Sequence, residues 1–110
     1  MIHKLTPESR VKKAVIRILK FYGWFTQINI QGFGMTNGRP DLEALKNGVN
    51  IWIECKSPAG RISDMQKEYI RTIETYGGIV MVTNDPEKFL IELEQLHERL
   101  WPGMGIKRLF

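Results

Sequence analysis

Residues 38–57 read GRPDLEALKNGVNIWIECKS, and the pair Asn47-Gly48 near the middle decides how the surrounding chain must fold. Asn-Gly between two strand-like runs is the strongest short-range hairpin signal, because a type I′ turn needs positive φ at both central residues. With those two residues as the loop, strands over residues 41–45 and 49–56 pair so that Leu42 faces Ile53, Glu43 faces Trp52 and Asp41 faces Glu54. Two carboxylates then stand across a strand pair with Cβ atoms roughly 4.5–5.5 Å apart, which is destabilising for like charges unless something positive lies between them. The same register sets Arg39 opposite Lys56, and the two-residue period puts Glu54 and Lys56 on one face. Two acids and a lysine converge on one patch. A three-residue loop would instead flip the faces of one strand.

Upstream of the hairpin, Thr6-Pro7-Glu8 supplies a helix N-cap, an N1 proline and a first-turn acid. Val11, Ala14, Val15, Ile18, Leu19 and Tyr22 follow at helical spacing as far as Gly23, with Lys12, Lys13, Arg17 and Lys20 on the opposite side. Glu8 falls inside the apolar stripe, as a dipole partner or as a carboxylate aimed at something buried. Residues 24–30 alternate as a strand, and residues 31–39 form a glycine-rich loop.

Downstream, Ser63-Asp64-Met65-Gln66 matches a capping box and opens a second helix, with Met65, Tyr69, Ile73 and Tyr76 inward and a stop at Gly77-Gly78. Residues 79–83 are a continuous apolar run, expected to be central in the sheet and covered on both faces. Asn84-Asp85-Pro86-Glu87 caps a third helix with Phe89, Leu90, Leu93, Leu96 and Leu100 as its inward stripe. The expected fold is α/β, a mixed four-stranded sheet flanked by helices in the order α-β-β-β-α-β-α, whose crossover makes the last strand parallel to its predecessor.

The 110 residues are about one domain's worth of chain. With 43% hydrophobic and 25% charged residues the composition excludes disordered, collagen-like and disulfide-scaffold classes. No stretch is apolar for long enough to span a bilayer, and the basic N-terminus lacks the apolar run of a secretory signal. The lone Cys55 has no disulfide partner, which fits a reducing, cytoplasmic setting. Charge is uneven. Residues 1–39 carry seven basic side chains against the single acid Glu8, a local surplus that suits either a nucleic-acid footprint, through Lys12, Lys13, Arg17, Lys20 and Arg39, or a solvated helix face.

Paired carboxylates suit Mg²⁺, which wants hard oxygen ligands, keeps several waters and completes its coordination from a substrate phosphate. A lysine alongside can orient a water or offset charge building on phosphorus. A surface salt bridge between Glu54 and Lys56 accounts for the same spacing without chemistry. Glu43 shares the face of Asp41 and either extends the acidic site or lines its edge. Cys55 points away from Glu54 as a small core residue, and His97 lies in the acidic part of helix 3 as a surface residue.

Pro40-Asp41, followed after twelve residues by Glu54-Cys55-Lys56, is similar to the PD-(D/E)XK signature of metal-dependent nucleases. The wider pattern adds Glu8 on the first helix, Gly38-Arg39 before the Pro-Asp pair, Gly60-Arg61-Ile62-Ser63 with Gln66, and Gly77-Gly78 before a Val-rich strand. Together these resemble the VRR-NUC domain over nearly the whole chain, with only the tail unmatched. The resemblance implies a restriction-endonuclease-like core in which Asp41 and Glu54 bind Mg²⁺ or Mn²⁺, Lys56 is catalytic, and Glu8 and Gln66 belong to the active site. It also implies a metal contact from the Cys55 backbone carbonyl. Gln66 has a second explanation as the N3 residue of its capping box.

Stand-alone members of that family resemble Holliday-junction resolvases acting as homodimers, which implies branched DNA as substrate and a second copy as partner, with no small-molecule cofactor. Trp101, Met104, Leu109 and Phe110 of the tail, residues 101–110, are candidate interface apolars. The expected setting is the cytoplasm of a bacterial or phage-infected cell. The competing class is a non-catalytic nucleic-acid-binding module, in which the basic face of helix 1 gives affinity by counterion release and the acidic pair has no role.

Overall fold

The computed structural model describes residues 6–29 and 38–104. Its elements are α1 (Pro7–Phe21), β1 (Phe25–Ile28), β2 (Leu42–Lys46), β3 (Val49–Cys55), α2 (Asp64–Thr75), β4 (Ile79–Thr83) and α3 (Pro86–Leu100), in the expected α-β-β-β-α-β-α order. The strands form one mixed sheet, β1-β2-β3-β4, antiparallel except for the parallel pair β3 and β4. The expected strand end at Ile30, most of the glycine-rich loop and the tail residues Leu109 and Phe110 lie outside the described residues.

Asn47 has φ 50° and Gly48 φ 79°, positive at both loop positions as a type I′ turn requires. The register follows from it, with Leu42 opposite Ile53 and Glu43 opposite Trp52. Alternation then sends Leu42, Ala44, Ile51, Ile53, Cys55 and Met81 into one core with Val11, Val15 and Leu19 of α1 and Phe89, Leu93 and Leu96 of α3. Truncating a fully buried member such as Ile53 or Leu93 to alanine removes about 2–5 kcal/mol. The helix starts are fixed locally: Thr6 Oγ1 accepts from Ser9 N at 3.1 Å, Ser63 Oγ from Gln66 N at 3.1 Å, and Asp85 Oδ1 from Glu87 N at 2.9 Å.

Four expectations change. Among the described residues the sheet ends at β4, so this strand is an edge and not central. An apolar run reports that the faces of a strand are covered, here by α2 and α3, and says nothing about whether a further strand follows. On α2, Met65 and Tyr76 are exposed; Tyr76, with Tyr69 and Ile73, borders an open groove of about 460 Å³ beside Trp52 and Gly78 and not a closed core.

His97 is buried, not on the surface. It sits four residues after Leu93 on the inward stripe, and Trp24 Nε1 donates to His97 Nε2 at 3.0 Å. Trp101 is no free tail apolar, since its ring packs edge-on against His97 at 5.0 Å between centroids and lies 6.0 Å from Trp24. Lys46 closes this cluster: its Nζ donates to the Tyr22 carbonyl at 2.7 Å and lies 5.6 Å from the Trp101 ring. No helix among the described residues is long and apolar enough to cross a membrane.

Candidate active site

The polar centre lies where β2 begins and β3 ends. The strand ladder stops at Leu42, one residue short of Asp41, yet Asp41 and Glu54 still meet through crossed hydrogen bonds. Asp41 N donates to Glu54 Oε1 at 3.2 Å, and Cys55 N donates to Asp41 Oδ2 at 3.0 Å. Asn29 holds the approach: its backbone N donates to the Asp41 carbonyl at 2.7 Å and its Nδ2 to the Pro40 carbonyl at 3.0 Å. Among the described residues, the buried Asn29 Oδ1 has no hydrogen-bond partner.

Glu54 is the most enclosed member, at 2% exposure. Its Oε2 accepts from Gln66 Nε2 at 2.9 Å and lies 3.4 Å from Lys56 Nζ. Burial first, and then the charge of Asp41, pushes the Glu54 carboxyl up to about 7 against the opposing pull of Lys56. The positive charge demanded by two facing carboxylates is thus present on the protein. Lys56 supplies it to Glu54, and Lys12 supplies it to Asp41, with Nζ at 3.7 Å from Oδ1.

Gln66 reaches Glu54 because α2 begins beside the loop that carries Asp41. Gly38 makes that approach possible. Its φ is 86°, and a Cβ there would lie 2.5 Å from the Met65 carbonyl oxygen and 3.1 Å from Gln66 N. Glu8 stands one turn before Lys12 on α1, and its charge, together with those of Asp41 and Glu54, acts on Cys55. The Cys55 thiol is buried and pushed up to about 12, by desolvation before any charge. It is a core thiol, as its spacing suggests, and no nucleophile.

The site therefore gathers Asp41, Glu54, Lys56 and Gln66, with Lys12 added and Glu8 nearby. Sequence spacing assigns Lys12 to the outer basic face; the structure turns it toward Asp41. Arg39 pairs with Glu43 at 2.9 Å. Lys13, Arg17 and Lys20 stay exposed and line a shallow groove of about 270 Å³ with Ile16. Among the described residues no three or more His, Cys, Asp and Glu side chains are grouped to hold a metal ion. Two carboxylates, Asp41 and Glu54, are available there. Compared with protein-family models and with curated proteins, the chain matches none.

Asn29 and Lys12 are the site members that sequence spacing misses. Lys12 borders the apolar stripe, one turn after Glu8, and that position is the signal that could have found it. Asn29 has no such signal, because the pairing of β1 with β2, which carries it to Asp41 one step past Ile28 and Leu42, joins segments distant in sequence.

Proposed function

We propose that this chain is a metal-dependent, structure-selective DNA endonuclease of the VRR-NUC type, hydrolysing phosphodiester bonds at branched DNA. The observation that carries this reading is Glu54: a buried carboxylate beside Asp41, held at once by Gln66, Lys56 and the Asp41 backbone N–H. A structural salt bridge has no need of a second carboxylate at that spot, whose charge raises the Glu54 carboxyl and costs stability.

The donor set suits Mg²⁺ or Mn²⁺, since Asp41 and Glu54 offer hard oxygens, the Cys55 carbonyl can add another, and the repulsion between the two acids is what a divalent cation relieves. Such an ion supplies positive charge to the phosphate and acidity to water. Gln66 fixes the rotamer of Glu54, and the Cys55 N–H fixes that of Asp41. Lys56 is placed to hydrogen-bond the attacking water or a non-bridging phosphate oxygen. Lys12 balances Asp41 until substrate arrives and can then turn to phosphate. Glu8 bounds the site from α1.

Incubation with labelled four-way, flap, splayed and linear DNA tests the reading. Cleavage of branched substrates with Mg²⁺ or Mn²⁺, and none with EDTA, is expected. Binding without cleavage under every metal condition favours the second reading, a non-catalytic module, for which the exposed groove of Lys13, Arg17 and Lys20 is the supporting observation. A two-fold dimer suits a four-way junction, whose near two-fold symmetry offers two strands to two sites. On this reading the protein acts in the cytoplasm of a bacterial or phage-infected cell.

A further inference from the structure

Nothing among the described residues pairs with the outer edge of β4. The strand reads IVMVT, with neither the charge nor the proline that commonly blunts an exposed edge. Lys56 N donates to the Thr83 carbonyl at 2.9 Å, so Thr83 turns its backbone groups toward β3. By two-residue alternation Met81 does the same, and Val80 and Val82 aim their N–H and C=O groups outward. Beside this edge runs a groove of about 440 Å³ between β4 and Glu92, Gln95, Leu96 and Arg99 of α3. Glu92 and Arg99 are exposed, and neither makes an ion pair among the described residues.

We propose that the β4 edge pairs with β4 of a second copy of this chain, antiparallel about a two-fold axis through Met81, with Glu92 of each copy against Arg99 of the other. About that axis Val80 exchanges backbone hydrogen bonds with Val82 of the partner subunit, the two residues whose groups are free to do so. The same axis serves the helix. Glu92 and Arg99 lie symmetrically about Gln95 and Leu96, the pair level with β4 in the groove, so antiparallel α3 helices bring opposite charges together twice. This self-complementarity selects a second copy over an unrelated strand, which would satisfy the backbone edge but leave Glu92 and Arg99 unanswered. An axis perpendicular to the sheet keeps both copies of the Asp41 and Glu54 site on one face, opening toward opposite ends of a continuous sheet. The use of that arrangement in cutting two strands rests on the nuclease reading; the pairing itself does not.

Sedimentation velocity on the full chain tests the pairing. Wild type should run as a dimer, and Glu92→Arg or Arg99→Glu alone should weaken it by about tenfold or more by setting like charges together. The double exchange Glu92→Arg with Arg99→Glu should restore the dimer to within about threefold of wild type. Val82→Pro removes only an outward N–H and should also weaken it. A wild-type monomer at about 100 µM, a dimer indifferent to the single exchanges, or a double exchange that fails to restore pairing would overturn the proposal. Cleavage by the same samples is scored separately: dimers that never cut count against the nuclease reading alone, and wild-type monomers that cut count against the pairing alone.

Discussion

Gln66 Nε2 donates to Glu54 Oε2 at 2.9 Å while Gln66 Oε1 accepts from Ser63 N at 2.9 Å. One side chain closes the capping box of α2 and also holds the buried carboxylate, so the start of a helix and the geometry of the site are a single piece of structure. Of the two explanations of Gln66 open at the level of sequence, the cap is formed, and the bond to Glu54 is one that an active-site role would use.

Substitutions at Gln66 can separate them. Gln66→Glu keeps an acceptor for the Ser63 N–H but sets a third carboxylate against Glu54, so cleavage should fall by about tenfold or more with a melting temperature near wild type. Gln66→Ala loses the cap as well and should cost about 1 kcal/mol in stability. Wild-type cleavage by Gln66→Glu would return the residue to a capping role alone.

Gly38→Ala tests the contact between the Asp41 loop and α2. Its positive φ and the close Met65 carbonyl leave no room for a methyl group without moving one element or the other. Stability should drop by about 1–3 kcal/mol, and cleavage should fall further than stability accounts for, because Gln66 and Asp41 move apart. Thermal melting alongside single-turnover rates reads both quantities, and unchanged values of each would contradict the contact.

Glu54 and His97 should oppose each other in the dependence of stability on pH. With its carboxyl at about 7 against an ordinary 4.5, folded Glu54 keeps a proton that the unfolded chain sheds, and stability falls as pH rises through that window. His97 is pushed down to about 4 from 6.5 by burial and then by Lys46. There the unfolded chain takes a proton that the folded chain refuses, and stability falls as pH drops. Removing one group uncovers the other. Between pH 6.5 and 4.5, Glu54→Gln should lose stability on acidification and His97→Gln should gain it, each by on the order of 2 kcal/mol. Denaturant titrations at the two pH values give the sign; a shared sign would contradict the assignment.

The exposed basic groove of α1 makes a prediction about affinity without chemistry. Lys13→Ala combined with Arg17→Ala should weaken binding to every DNA shape alike and flatten the slope of log K against log salt by about two units. Binding titrations across a salt series measure the slope, and an unchanged slope would remove this face from the DNA contact.

Most of the fold was legible because its signals are local. Asn47-Gly48 carries its own backbone requirement, the caps at Thr6, Ser63 and Asp85 mark their helices, β2 follows from period two, and β4 is marked by its apolar run. The facing of Asp41 and Glu54 came from the turn alone. Less legible were relations between distant elements. The turning of Lys12 to Asp41 depends on how α1 crosses the sheet, and the approach of Gly38 to Met65 depends on where α2 begins. His97 was misread for a different reason. Its acidic neighbours Glu94 and Glu98 suggested surface, whereas its spacing from Phe89 and Leu93 already put it on the buried stripe. Edge position at β4 was not readable, because apolarity reports covered faces and not unpaired backbone.

The most direct measurement is the single-turnover cleavage rate of a labelled four-way junction, prebound to wild type or to Asp41→Asn and started with Mg²⁺. Wild type should cut with Mg²⁺ and not with EDTA, while Asp41→Asn binds the junction as wild type does and cuts at least about a hundredfold more slowly. Equal cleavage by the two proteins, or cleavage by wild type that persists in EDTA, would contradict a metal-dependent site built on Asp41 and Glu54.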